Sequence, residues 1–233
     1  MTLSPNFGDR RDRAVPDLIV LHYTAMADWT KARDWLCNPA AEVSAHYIIS
    51  PSGDVVALVD EDKRAWHAGA GAWGDVLDVN SRSIGIELSN DGASPFSASL
   101  MDALEELLPG IMARWGIPPE RVIGHSDLAP GRKIDPGPRF DWARLARAGL
   151  AVSSSHRDVR SSEEEGADSP SEAAFMADLR RIGYTADSPV ETLLNAFRLR
   201  HRQGHSGPLD KTDMALARDL ATRFSVAPTP VTS

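Results

Sequence analysis

His22 closes the apolar run Leu18-Ile19-Val20-Leu21, and His125 opens the stretch His125-Ser126-Asp127-Leu128-Ala129-Pro130-Gly131-Arg132-Lys133-Ile134-Asp135-Pro136-Gly137-Pro138. Both lie where buried strands run out into loops, so the two segments can offer two imidazoles, a carboxylate and a lysine to one site. Two His and one Asp form a suitable ligand set for a zinc ion that keeps its fourth position open for water. A metal-assisted hydrolase is therefore the leading reading of these residue types. Spacing alone leaves the reading open. The two histidines are far apart in the chain, unlike H-E-x-x-H, which carries its geometry in its spacing. A lone His at a strand end is more often a hydrogen-bonded structural residue.

The elements that must position these side chains are legible as short apolar runs. Strands are predicted at Leu18 to Tyr23, Tyr47 to Ser50, Val55 to Val59, Ile84 to Ser89 and Val122 to His125, each rich in Val and Ile or alternating in polarity. Pro51-Ser52-Gly53-Asp54 reads as the tight turn of a hairpin joining the second and third. Helices are predicted at Trp29 to Leu36 with Asp28 as N-cap, at Ser99 to Trp115 with a kink at Pro109, and from an Asp141 N-cap through Leu145 to Ala148. Hairpins mixed with crossover helices imply an α/β fold, a mixed β-sheet flanked by helices.

Residues 152–170 change character. Ser153-Ser154-Ser155 and the acidic triplet Glu163-Glu164-Glu165 come with almost no apolar side chains, which reads as a solvated linker. Helical periodicity then returns at Ala173 to Ile182, Val190 to His201 and Thr212 to Phe224. The expectation is a small C-terminal three-helix domain over 171–233, whose unit of about 55 residues is marginal alone and leans on the domain formed by 1–151.

Composition narrows the function classes. A formal net charge of −8 argues against a nucleic-acid partner and gives no attraction to an anionic membrane surface. No apolar run reaches membrane-spanning length. The single cysteine, Cys37, excludes an intrachain disulfide. The N-terminal residues carry no apolar leader, so a cytoplasmic location is expected if Met1 is the native start, and a periplasmic one if the native N-terminus has been trimmed. A monomer is expected.

Five strings occur here in one order: Val20-Leu21-His22-Tyr23-Thr24, Val43-Ser44-Ala45-His46-Tyr47, Arg64-Ala65-Trp66-His67-Ala68-Gly69, Ser83-Ile84-Gly85-Ile86-Glu87-Leu88, and His125 through Pro138. In that order they resemble the zinc N-acetylmuramoyl-L-alanine amidases of the AmpD and AmiD type, over about residues 5 to 150. The resemblance implies that His22, His125 and Asp135 bind Zn2+, with Asp135 where phage and animal relatives often carry cysteine. It implies that Glu87 is the general base, although strand alternation alone would allow it to face solvent, and that Lys133 stabilises the oxyanion. Ala45 stands where phage relatives have tyrosine, so the chemistry is expected to rest on Glu87 and Lys133.

Candidate substrate-binding residues are less constrained. His46 can line the cleft or hydrogen-bond within the sheet, the latter being favoured. Trp66 and His67 read as a loop wall for a sugar or peptide stem, with Trp66 equally readable as core. Arg82 and Asn90 flank the Glu87 strand and are candidates for holding stem carboxylates. The implied reaction is hydrolysis of the amide between N-acetylmuramic acid, in its 1,6-anhydro form, and L-alanine of peptidoglycan stem peptides, in wall recycling. The implied partners are muropeptides or peptidoglycan polymer. The tail resembles, more loosely, the small peptidoglycan-binding module that follows some AmiD-type amidases. Two alternatives remain: an exported amidase acting on the intact wall, and a non-catalytic peptidoglycan-binding protein of the same fold.

Overall fold

The computed structural model describes residues 3–154 and 169–226. His156, the acidic triplet and most of the expected linker lie outside the described residues. A five-stranded mixed sheet forms from β2 (Leu18–Tyr23), β3 (Tyr47–Ile49), β4 (Val55–Ala57), β6 (Ser83–Leu88) and β7 (Val122–Gly124), in the order β4-β3-β6-β2-β7. Only the β3–β4 hairpin is antiparallel. Its turn needs Gly53, whose φ of +94° is left-handed and whose missing Cβ would sit 2.8 Å from the Ser99 carbonyl oxygen. A separate two-stranded ribbon pairs β1 (Phe7–Asp9) with β5 (Lys63–Ala65); both strands are short and polar, and the apolar patterns gave no sign of them.

The caps explain where the helices begin. Asp28 accepts from the Thr30 amide at 2.9 Å and opens α1 (Trp29–Leu36). Ser97 caps α3 (Ala98–Trp115), which runs as one helix through Pro109 and stops at Gly116, whose φ is +66°. A four-residue helix, α2 (Val79–Arg82), precedes β6, and α5 (Trp142–Arg147) starts on Asp141. Three strands, β3, β6 and β7, end one residue earlier than their sequence suggests, and β4 ends two residues earlier, at Ala57 instead of Val59. The β7 run stops at Gly124, because the Asp127 carboxylate accepts the Gly124 amide at 2.8 Å and turns His125–Leu128 into a helical turn, α4.

Strand alternation divides the core. Ile19 and Leu21 of β2, with Ile84, Ile86 and Leu88 of β6, face α3 and α5. Leu18 and Val20, with Ile123 of β7, face the other way. The second face is covered by the C-terminal helices α6 (Glu172–Ile182), α7 (Val190–His201) and α8 (Lys211–Arg223), whose Phe175, Leu179, Phe197 and Leu220 share one core with the sheet. Trp73 fits against Gly183, where a Cβ would come within 2.4 Å of its ring.

The tail is also pinned by charge. Asp127 is fully buried and accepts from Arg200 of α7 at 2.9 Å and from the Tyr184 hydroxyl at 2.6 Å, beside its bond to Gly124. Arg200 donates onward to the Val122 carbonyl and stacks over Trp142 at 4.3 Å. Removing one member of a buried pair strands the other charge. Asp127→Ala is therefore expected to destabilise the protein by about 3–5 kcal/mol, read as a lower urea midpoint. The double variant Asp127→Ala/Arg200→Met should recover part of that loss.

Candidate metal centre

The parallel register aligns the chemistry. His22 of β2 pairs with Glu87 of β6, and Leu21 pairs with Gly124 of β7, so His125 stands in the same row at the carboxyl ends of three strands. Cavities at strand carboxyl ends are where open α/β sheets bind ligands. All three side chains belong to the face opposite α3. Alternation does turn Glu87 away from the Ile84-Ile86-Leu88 core, as its strand pattern implies. The loops above that face enclose it in a cleft instead of leaving it to water.

Asp135 is brought back to this row by its own loop. The Ser126 amide donates to the Asp135 carbonyl at 2.9 Å, tying the loop end to α4. The Asp135 Oδ2 then lies 2.9 Å from His22 Nδ1 and 3.0 Å from His125 Nδ1, and the two Nδ1 atoms are 3.0 Å apart. Among the described residues, these three form a group of ligand-type side chains whose donor atoms all lie within 4.8 Å of one another, and all three are buried.

The donor chemistry fits a cation. His125 Nε2 is 2.8 Å from the Ala68 carbonyl, which can only accept, so Nε2 carries the hydrogen and Nδ1 of the neutral ring is a lone pair. That lone pair faces a carboxylate oxygen, with a second imidazole alongside. Burial, and then the adjacent His125, push His22 down to about 4, against the opposing pull of Asp135, so its ring is neutral at pH 7. The Asp135 carboxylate oxygen, the His125 lone pair and the His22 ring nitrogen, converging within about 3 Å, could hold a positive ion between them. Two imidazole nitrogens and one carboxylate oxygen suit zinc with one open position.

The centre forms the floor of a cleft of about 540 Å³. Glu87 and Lys133 line it, as do Trp66 and His67, with Trp35 and Val43 among the apolar side chains around them. Burial raises the Glu87 carboxyl well above the ordinary range and Asp135 raises it further, while the Lys133 ammonium acts in the opposite sense. A divalent cation nearby would favour the carboxylate. Glu87 Oε2 is buried without a hydrogen-bond partner among the described residues, as befits a group meant for a substrate or a water.

Three residues considered for substrate binding are placed elsewhere. Arg82 lies at the opposite end of β6, paired with Asp17. Asn90 is buried and holds its own loop, donating to the Ser94 carbonyl and accepting from the Gly92 amide. His46 is fully buried, accepting the Gly85 amide at 2.9 Å on Nδ1 and donating from Nε2 to the Lys63 carbonyl at 3.0 Å. None of the three lines the cleft. Of the residues that support the centre from behind, Ala68 and Ser83 lie within the motif strings without a role read for them, and Asn80 carries no sequence signature. Gly85 does carry one, because an isolated glycine in a strand marks a close approach.

Residues 11–138 match the Amidase_2 family, described as N-acetylmuramoyl-L-alanine amidase. Escherichia coli (strain K12) AmiD, an N-acetylmuramoyl-L-alanine amidase, is 32% identical over 231 residues, covering 89% of this chain and 83% of AmiD. Its structure, solved with anhydro-N-acetylmuramic acid-L-Ala-D-gamma-Glu-L-Lys as substrate, superposes with a TM-score of 0.82 at 30% identity over 93% of both chains. The 1,6-anhydro-N-acetylmuramyl-L-alanine amidase AmpD of Citrobacter freundii is 33% identical over 173 residues, covering 67% of this chain and 91% of AmpD. AmpDH3 of Pseudomonas aeruginosa, solved with an anhydromuramic pentapeptide, gives a TM-score of 0.81 at 29% identity over 97% of this chain and 99% of its own. With that agreement in sequence and fold, the chain belongs to the N-acetylmuramoyl-L-alanine amidase family, Amidase_2, as an enzyme of the AmiD and AmpD type.

Proposed function

We propose that this amidase is zinc-dependent and hydrolyses the bond between 1,6-anhydro-N-acetylmuramic acid and the L-alanine of peptidoglycan stem peptides, in wall recycling. The observation that carries the zinc reading is the convergence of His22 Nδ1, His125 Nδ1 and Asp135 Oδ2 beneath a cleft lined by Glu87 and Lys133. The anhydro-sugar reading is supported by the substrate bound to AmiD and by the anhydromuramic pentapeptide bound to AmpDH3.

His22, His125 and Asp135 would hold the zinc, which supplies Lewis acidity and a water made acidic enough to attack at neutral pH. Glu87 takes the proton of the attacking water as it adds to the lactyl carbonyl. Lys133 places its ammonium where negative charge develops on the carbonyl oxygen, a contribution commonly worth about a hundredfold or more in rate. Glu87 then returns the proton to the departing alanine nitrogen, so the amide breaks to a carboxylate and an ammonium group, both hydrogens of the water ending on nitrogen. Trp66 and the apolar rim exclude water from one side of the scissile bond. The C-terminal helices act as a brace for the β7–α4 segment that carries His125.

The test is mass spectrometry of the products from a soluble anhydro-muropeptide and from purified cell wall, each with and without a zinc chelator. Chelator-sensitive release of an L-alanine-terminated peptide from the soluble fragment supports the proposal. Release from intact wall as well would extend the substrate to polymer and favour an exported, wall-acting enzyme. Release that chelator leaves untouched would overturn the zinc reading.

A further inference from the structure

His67 and Ala68 stand behind the centre, each against a different histidine. His67 Nδ1 is 3.0 Å from His22 Nε2, and the Ala68 carbonyl is 2.8 Å from His125 Nε2. Hydrogen-bond directions along this chain can be assigned from its far end. The Ser83 hydroxyl lies 2.6 Å from the Val79 carbonyl, to which it can only donate. Its one hydrogen is thus committed, and toward His67 Nε2, 3.1 Å away, the Ser83 oxygen must accept. Nε2 of His67 therefore carries the hydrogen, and Nδ1 of the neutral ring is an acceptor. The bond to His22 then requires a hydrogen on His22 Nε2, which leaves His22 Nδ1 as a lone pair directed at the centre. The opposite tautomer of His22 would set two lone pairs against each other across 3.0 Å.

The dipeptide is itself held. The Asn80 side-chain oxygen accepts both the His67 amide at 3.1 Å and the Ala68 amide at 2.9 Å, from a buried position in α2. Arg132 donates to the same Ala68 carbonyl at 2.8 Å. Room for the imidazole comes from Gly85, on the same face of β6 as Glu87; a Cβ there would lie 2.4 Å from His67 Cγ. One strand thus presents the base and, two residues earlier, the gap that seats the ring.

We infer that the His67–Ala68 dipeptide sets the tautomer of both histidines of the centre, His67 by accepting from His22 Nε2 and Ala68 by accepting from His125 Nε2, so that each ring offers an unprotonated Nδ1 to the metal. His67 lines the cleft, as its motif suggests, and is in addition a positioning residue. The inference rests on the zinc reading above. Groups that orient a ligating histidine are commonly worth about 10–100-fold in metal affinity.

The experiment measures zinc affinity by competition with a chromophoric chelator, without substrate, for the wild type, His67→Phe and His67→Asn. Phenylalanine keeps a ring and loses the acceptor, whereas the asparagine Oδ1 falls near the lost Nδ1. His67→Phe should bind zinc about 10–100-fold more weakly, and His67→Asn should stay within about threefold of wild type. Nitrogen-15 NMR of the wild-type histidines supplies a second readout that needs no variant to fold: His22 and His67 should both be protonated at Nε2 and unprotonated at Nδ1. Equal affinity in wild type and His67→Phe overturns the inference. So does a loss in His67→Asn as large as in His67→Phe, or a hydrogen on His67 Nδ1. A wild type that takes up no zinc would instead overturn the zinc reading, and the tautomers of the metal-free protein would still decide the hydrogen-bond chain.

Discussion

Asp135→Ala is expected to abolish zinc retention and to lower amide hydrolysis by about a thousandfold or more, equivalent to roughly 4 kcal/mol of barrier. The size of the effect follows from the geometry. Asp135 supplies the only formal negative charge among the three converging atoms, and its Oδ2 lies within 3.0 Å of both imidazole nitrogens. Without it, two neutral rings remain, and neither their number nor their charge suffices to hold a divalent ion against water. The loop itself should persist, because its tie to α4 runs through the Asp135 backbone carbonyl and not the side chain. Zinc content by atomic emission and turnover by product mass spectrometry check the two halves together. Full turnover in a zinc-free variant would reject the metal centre. Unchanged affinity for a muropeptide, in a protein whose wild type also fails to turn over, would point to a non-catalytic binding protein.

Glu87→Gln separates the base from the metal. Glutamine keeps the shape of the side chain and its place beside His22, but it can neither take nor return a proton. Loss of a positioned acid–base group commonly costs about 10²–10⁴ in rate, so kcat should fall by that factor while zinc content holds. KM should change little, since the carboxylate acts on the water and the leaving nitrogen more than on bound substrate. A fall in zinc content equal to the fall in kcat would make Glu87 part of the ligand set instead. A kcat within threefold of wild type would remove it from the chemistry.

Much of this arrangement could be read along the chain. The apolar runs located all five strands of the main sheet, and the Asp28 and Asp141 caps marked the starts of α1 and α5. These signals are local: a cap acts over three residues, a strand pattern over five or six, and each reports the burial of its own segment. The same locality explains the errors. The Val122 to His125 run looked like strand to its end, yet Asp127 bonds back to Gly124 and winds His125 into a helical turn. Nothing in that run's own composition reports the bond. The β1–β5 ribbon leaves no mark in the sequence, because strands so short and polar have no periodicity to show.

What the sequence determined by itself was a set of segments, their caps, and, through its likeness to a known family, a candidate set of metal and proton-handling residues. The tertiary structure decided which of those side chains meet. Strand register set His22 beside Glu87, and the direction in which β6 runs left Arg82, which ends α2 just before the strand, away from the cleft, where Asp17 holds it. Packing of α6 to α8 onto Leu18, Val20 and Ile123 joined the tail to the sheet and ran Arg200 to Asp127, two residues beyond His125. The chain of acceptors from Val79 through Ser83 and His67 to His22 links residues from three separate segments. Such contacts depend on how distant elements dock against one another, and a local pattern of polarity carries no record of its partners.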